Sequence, residues 1–269
     1  MAIIALHSAS TGLSALSTSL DVIANNLANA NTEGFKASRA NFQDLLYIER
    51  DAPGTENANG DQRPLGLFVG LGTKISGTQI DFTQGPAMST GRTLDLMIDG
   101  PGFFQVQVED TTGEGIAYTR AGNFILNSEG EIVLATDQGR RLIPNIQIPP
   151  DATDISISAD GTVSVTIAGQ IEPQELERIQ LATFINPAGL RPLGENLYIP
   201  SAASGEAIVG DPLEDGLGGI RQGFLEGSNV DPVFELVNLI KTQRAFELNS
   251  QSIQAADEAL QTIGRLRRF

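Results

Sequence analysis

Residues 6–30 read LHSASTGLSALSTSLDVIANNLANA, and this stretch decides the fold. Leu6, Leu13, Leu20 and Leu27 recur every seven residues, and a second series three positions later reads Ala9, Leu16, Ile23, Ala30. Near the other end Leu239, Phe246, Ile253 and Leu260 repeat with the same period, with Leu236 and Ile263 close to the seam. Seven-residue apolar spacing is the a/d pattern of helices that pack along one another. A lone globular domain has little reason to carry such helices at both ends of its chain. A subunit that polymerises through its termini does.

The spacing predicts a helix over residues 3–30, with Gly12 costing about 1 kcal/mol relative to Ala. Asn25 to Asn31 and then Gly34 supply its stop, because Asn and Gly tolerate the left-handed conformation. The last helix is expected to start at Ser228 or Asp231, either of which can cap it, with Pro232 in its first turn. Running to about Arg265, it is roughly 50 Å long at ~1.5 Å per residue. Arg265, Arg267 and Arg268 suit the negative end of its dipole. Thr242 and Asn249 fall on the a/d series, so the helices are expected to order fully only when neighbouring subunits cover them.

Between the helices, Phe35 to Tyr47 reads as a short amphipathic helix with Phe42, Leu45 and Leu46 on one face. Residues 51–64 read as an exposed loop, and Gly66 to Gln79 as strand and turn. From Gly91 the period changes from seven to two. Phe104 to Val108 alternates, Phe124–Leu126 and Ile132–Leu134 flank a turn, and Ile155–Ser158 and Val163–Ile167 flank Asp160-Gly161, a strong hairpin signal. The expected fold is α+β: terminal helices paired as a coiled-coil-like core (1–32 plus 229–269), a connecting segment (33–90 plus 211–228) and a mostly antiparallel β domain (91–210).

The net charge of −16 argues against nucleic acid or an anionic membrane surface as partner. Residues 1–32 carry one acid, Asp21, and no Lys or Arg, and residues 229–269 carry five acids and five bases, which leaves −15 on the middle segment. Termini without net charge can pack against copies of themselves without self-repulsion. With no cysteine, a disulfide framework, a thiolate metal site and a cysteine nucleophile are excluded. No segment approaches the ~18–20 apolar residues of a membrane helix, so no insertion is expected. The start lacks a basic region and its apolar run, Ala2 to Leu6, is short, which reads as mature structure rather than a cleaved signal.

The one histidine, His7, reads as a tolerated helix residue. Gly70-Leu71-Gly72 is a fragment of a glycine loop without the strand, helix or basic residue of a nucleotide site, and Asp95 and Asp99 read as strand-end and turn residues. No EF-hand spacing and no nucleophile elbow occur. No catalytic, cofactor-binding or metal-binding residue is assigned. The candidate functional residues are those of a polymer interface: Leu6, Leu13, Leu16, Leu20, Ile23, Asn26 and Leu27, with Leu236, Leu239, Phe246, Ile253 and Leu260. The residues alone leave three classes open: a structural polymer subunit, a secreted β-domain binding module trimerised by its helices, and an enzyme with an unfamiliar site.

Three segments resemble the axial proteins of the bacterial flagellum, the rod and hook subunits. The first is Leu20-Asp21-Val22-Ile23-Ala24-Asn25-Asn26-Leu27-Ala28-Asn29 with Thr32 to Lys36. The second is Ile98 to Val106 with Tyr118-Thr119-Arg120-Ala121-Gly122-Asn123-Phe124, and the third is Glu226 to Val230 with Glu235 to Glu247. Length and the segment Arg63 to Gly72 are similar to the distal part of the rod, the closest competitor being a proximal rod paralogue. The resemblance implies export through the flagellar type III apparatus without a cleaved signal. It further implies assembly in the periplasm into a hollow helical shaft reaching the outer membrane, with no cofactor. The implied partners are copies of itself, proximal rod proteins, the hook protein and the P-ring and L-ring proteins.

Overall fold

The computed structural model describes residues 2–54, 64–109, 115–168 and 173–266. Residues 55–63, the centre of the expected loop, and the side chains of Ile263, Arg265, Arg267 and Arg268 lie outside the described residues. The chain divides into two compact units, residues 1–28, 38–80 and 231–269 in one, and residues 29–37 and 81–230 in the other.

The helical unit holds α1 (Ala2–Ala28), β1 (Ser38–Asp44), β2 (Tyr47–Asp51), β3 (Leu67–Gly70), β4 (Thr73–Ile80) and α2 (Pro232–Leu266). Of the two cap candidates, Asp231 is used: its Oδ1 accepts from the backbone N–H of Val233 at 2.9 Å and of Phe234 at 3.2 Å. Pro232 occupies the first helical position, where a missing N–H costs nothing. The two helices pack together and run antiparallel. Gly12 faces the Asn249 side chain, while Asn26 Nδ2 donates to Glu235 Oε1 at 3.2 Å. Moving forward along one helix therefore moves backward along the other.

The expected helix over Phe35 to Tyr47 is overturned. Its centre is β1, paired antiparallel with β4 from Ser38↔Ile80 to Asp44↔Thr73, with a register shift between Asn41 and Phe42. A single apolar face over so short a stretch fits a helix or a strand, and the partner strand decides. Arg39 reaches across it to Gln79 Oε1, with Nη2 at 2.8 Å, and Leu46 stands almost fully exposed. The neighbouring β2 and β3 pair with each other, Tyr47 opposite Gly70 and Ile48 opposite Val69, as strand and turn are expected to do near Gly66 to Gln79.

The second unit is built from short antiparallel strands. Among the described residues its largest sheet runs Arg191–Gly194, Leu197–Ile199, Ile116–Thr119, Phe103–Gln107, Leu181–Thr183, Ile208–Gly210, with Leu142–Ile143 alongside Phe103–Gln107. Both expected hairpins form, Ile132 opposite Leu126 and Ile157 opposite Val163. Gly161, at φ +81°, takes the left-handed turn position that glycine adopts without strain. The second hairpin gains a third strand, Gln174–Arg178, that alternation did not reveal. Alternation also misleads over Phe103–Gln107. Phe103, Phe104, Gln105 and Val106 are all buried, because the strand lies inside the sheet and is covered on both faces. Leu96, Ile98, Phe104, Phe124, Ile132, Leu134, Val163, Val165 and Leu181 belong to one continuous apolar core.

Two glycines give opposite predictions. A Cβ on Gly12 would meet Asn249 at an ordinary 3.5 Å, so Gly12→Ala should stabilise the helical unit by about 0.5–1 kcal/mol. Gly72 sits at φ +113° with Thr11 Oγ1 directly in the way of a Cβ, so Gly72→Ala should destabilise. Thermal unfolding of the two variants checks both signs.

Candidate assembly surface and buried charge cluster

Within the β-rich unit, Lys36, Arg120 and Glu226 meet in the dark. Lys36 Nζ lies 2.6 Å from Glu226 Oε1, and Arg120 Nη1 lies 3.4 Å from Glu226 Oε2. The side chains of Lys36 and Glu226 have no exposed surface and that of Arg120 almost none. Charges removed from water are costly unless paired and fully hydrogen-bonded. Part of the remaining capacity is used, since Lys36 also donates to Thr83 O at 2.7 Å and the Gly85 N–H donates to Glu226 Oε1 at 2.8 Å, whereas the buried Arg120 Nε has no hydrogen-bond acceptor among the described residues. The Arg120 guanidinium further sits 5.3 Å from the centroid of the Phe103 ring. Burial pulls both Lys36 and Arg120 below their ordinary pKa values, and the Glu226 carboxylate opposes this in each case. Burial, with a smaller push from Glu226, raises Tyr198 to about 12.

Each of the three sequence motifs contributes one member of this cluster. Gly34, at φ +68°, lets its segment press against Ala121, whose N would lie 2.6 Å from an added Cβ, and the Gly34 N–H donates to Glu226 O at 2.8 Å. Asn229 extends the tie: its Oδ1 accepts from the Ala37 N–H at 2.7 Å, and its Nδ2 donates to Asp81 O at 2.8 Å. Residues 36–37, 81–85 and 226–229 are thereby bound into one network. These are segments where the chain enters or leaves the β-rich unit. The sequence reading quoted all three motifs and overlooked their charges. Each motif also carries other charges, Asp21, Asp99 and Glu235 among them, so no local signal singles these three residues out.

The helical unit carries the expected interface residues. On α1, Ile23 and Asn26 are buried, and Leu6, Leu13, Leu16, Leu20 and Leu27 are half-buried. Asn26 is spent inside the subunit, donating to Ser38 O at 2.7 Å and accepting from the Ser38 N–H at 2.9 Å. The buried line of α1 runs through Ala9, Gly12, Ala15, Ile23 and Asn26 rather than the leucines. On α2, Leu239, Ile253 and Leu260 are half-buried, whereas Leu236 is 49 % and Phe246 36 % exposed. Sequence reasoning missed Val233, Phe234, Val237, Ile240 and Leu248, all exposed at 42–72 %. Their signal was present: α2 begins with more apolar residues than one helical stripe can hold. Further exposed apolar residues line β2 and β3, among them Tyr47, Ile48, Leu67 and Phe68.

The residues weighed for chemistry are scattered. His7 is exposed on α1, Asp95 is buried, and Asp99 is exposed 3.9 Å from Arg221. The Gly70–Gly72 stretch is the turn between β3 and β4, close against α1, where Ser8 Oγ donates to Gly70 O at 3.3 Å. Among the described residues, no group of three or more His, Asp or Glu side chains is placed to hold a metal ion, and no helix is long and apolar enough to cross a membrane.

Comparison with known proteins matches three families in order along the chain. Residues 6–36 match the family described as "Flagella basal body rod protein", residues 97–165 the "Flagellar hook protein FlgE/F/G D1 domain", and residues 221–266 the "Flagellar basal body rod FlgEFG protein C-terminal". Flagellar basal-body rod protein FlgG of Buchnera aphidicola subsp. Schizaphis graminum is 45 % identical over 256 residues, covering 95 % of this chain and 96 % of that protein. The chain belongs to the flagellar basal-body rod protein family. Two rod proteins of Caulobacter vibrioides separate its branches. FlgG is 44 % identical over 98 % of this chain and 99 % of its own length, whereas FlgF is 33 % identical over 92 % of each. This rod protein is thus FlgG-like, a structural subunit of the flagellar basal body.

Loss of the cluster's one carboxylate should destabilise the rod protein's β-rich unit. Glu226→Gln leaves two buried cations without a counter-charge, at a cost of about 3–5 kcal/mol. Lys36→Met combined with Glu226→Gln should cost less than the two single changes added together. Denaturant unfolding of the three variants measures both effects.

Proposed function

We propose that this chain polymerises into the distal part of the rod, a hollow helical drive shaft that passes torque from motor to hook. The observation that carries the mechanism is the open apolar surface of α2, from Val233 to Leu248, on a subunit whose relatives are rod proteins. Apolar area of that extent is stabilised by being covered, and neighbouring copies are the available cover. In the polymer α1 and α2 form the coiled-coil-like inner core, residues 1–32 plus 229–269. Residues 33–90 plus 211–228 connect, and residues 91–210 form the outer layer. The interface runs through Leu6, Leu13, Leu16, Leu20, Ile23, Asn26, Leu27, Leu236, Leu239, Phe246, Ile253 and Leu260. Contacts that do not close a ring generate an open helix, as a shaft requires.

The remaining assignments follow from that role. The subunit crosses the inner membrane through the flagellar type III apparatus, meets proximal rod proteins below and the hook protein above, and turns inside the P and L rings in the periplasm. The exposed apolar residues of β2 and β3, with the segment Arg63 to Gly72, stiffen the shaft by meeting neighbouring subunits. The −15 of the middle segment limits adhesion to the rings.

Leu236→Asp should leave the isolated subunit folded, because the side chain is exposed there, yet abolish rod assembly by placing a charge in the closed interface. Swimming cells carrying only this variant would overturn the interface. Immunogold electron microscopy of ring-stripped basal bodies, with antibody against residues 91–210, should label the shaft near the rings. Label confined to the curved hook would move the chain to another member of the family.

A further inference from the structure

At the junction of α1, β1 and the first turns of α2 lies a cleft of about 370 Å³. Ile23 and Asn26 form part of its lining, Val22 and Phe234 add apolar surface, and Arg39 and Lys241 bring two cations. Its one carboxylate, Glu235, accepts a hydrogen bond from Asn26. Arg39 donates only to the neutral Gln79, and Lys241 has no carboxylate within ion-pair distance among the described residues. With Arg39 and Lys241 against the single carboxylate of Glu235, the lining carries a net charge of +1.

The complement lies further along the same helix. Between Arg244 and Arg265, α2 carries Glu247, Asp257 and Glu258 and no Lys or Arg. Glu247 is taken by Arg244 at 3.0 Å. Asp257 and Glu258 are exposed, and among the described residues the Asp257 side chain accepts only from Gln261 Nε2, at 2.9 Å. Lys241 and Glu258 are seventeen residues apart on one helix, about 25 Å at ~1.5 Å per residue, so one subunit cannot close the pair on itself. A second copy displaced along the helix axis can.

We propose that the cleft receives the Asp257–Glu258 turn of α2 from the adjacent subunit, so that head-to-tail stacking is set by charge as well as by apolar cover. This rests on the polymer reading above and names the contact that fixes its axial step. The same patch does not meet itself: a cationic cleft at one end faces a carboxylate turn from the other, the heterologous contact that propagates without closing.

The absence of cysteine makes the test clean. A chain carrying both Lys241→Cys and Glu258→Cys, treated in isolated basal bodies with a bismaleimide much shorter than 25 Å, should give a ladder of linked subunits. Either single variant should stay unlinked. Rods that assemble normally but yield no ladder overturn this contact while leaving the polymer reading intact. Absence of this chain from basal bodies that carry a rod removes both. Charge exchange gives the second measurement. Lys241→Glu should reduce the number of rods per cell at least tenfold, and Lys241→Glu with Glu258→Lys should restore them. A double variant no better than the single one also overturns the contact.

Discussion

The buried pair of Lys36 and Glu226, with Arg120 behind it, is the constraint on which the β-rich unit depends. An ion pair with no exposed surface is an unlikely source of net stability, since desolvation offsets much of its attraction. In the native placement the Glu226 carboxylate lies between both cations and accepts from the amide of Gly85. Any packing that separates the three segments leaves buried charge uncompensated, which is costly.

The helical unit follows the opposite logic. Its seam is made of alanine, glycine, threonine and asparagine more than of leucine, which permits close approach but gives modest apolar cover. Large side chains are left outside, from Val233 to Leu248 on α2 and from Tyr47 to Phe68 on the short strands. A subunit that satisfied those surfaces internally would have nothing with which to hold its neighbours. Incomplete burial in the single chain is the condition for stability in the assembled one.

Both helices were legible because seven-residue spacing over four turns or more has few other readings. For the start of α2 the sequence offered Ser228 or Asp231, and the structure uses Asp231 followed by Pro232. The two hairpins were legible from alternation and from Asp160-Gly161. β1 was not, because Phe42, Leu45 and Leu46 suit a helical face and only the distant β4 makes the segment a strand. The interior strand Phe103–Gln107 was found but its environment was misjudged, since Gln105 mimics a solvent-facing position. The candidate interface was legible as a stripe, whereas the bulk of the exposed α2 surface was not, because periodicity measures one face and this helix uses more. The charge cluster was illegible for a simpler reason: its members are 84 and 106 residues apart in sequence, and no local pattern reports such a meeting.

The position of Glu226 also carries a consequence in time. It lies in the last fifth of the chain, whereas the two cations it neutralises come much earlier. Synthesis from the N-terminus makes Lys36 and Arg120 long before their counter-ion. A chain that closed this unit before Glu226 was made would strand two cations in its interior. The late position of the anion thus sets against early closure of the unit.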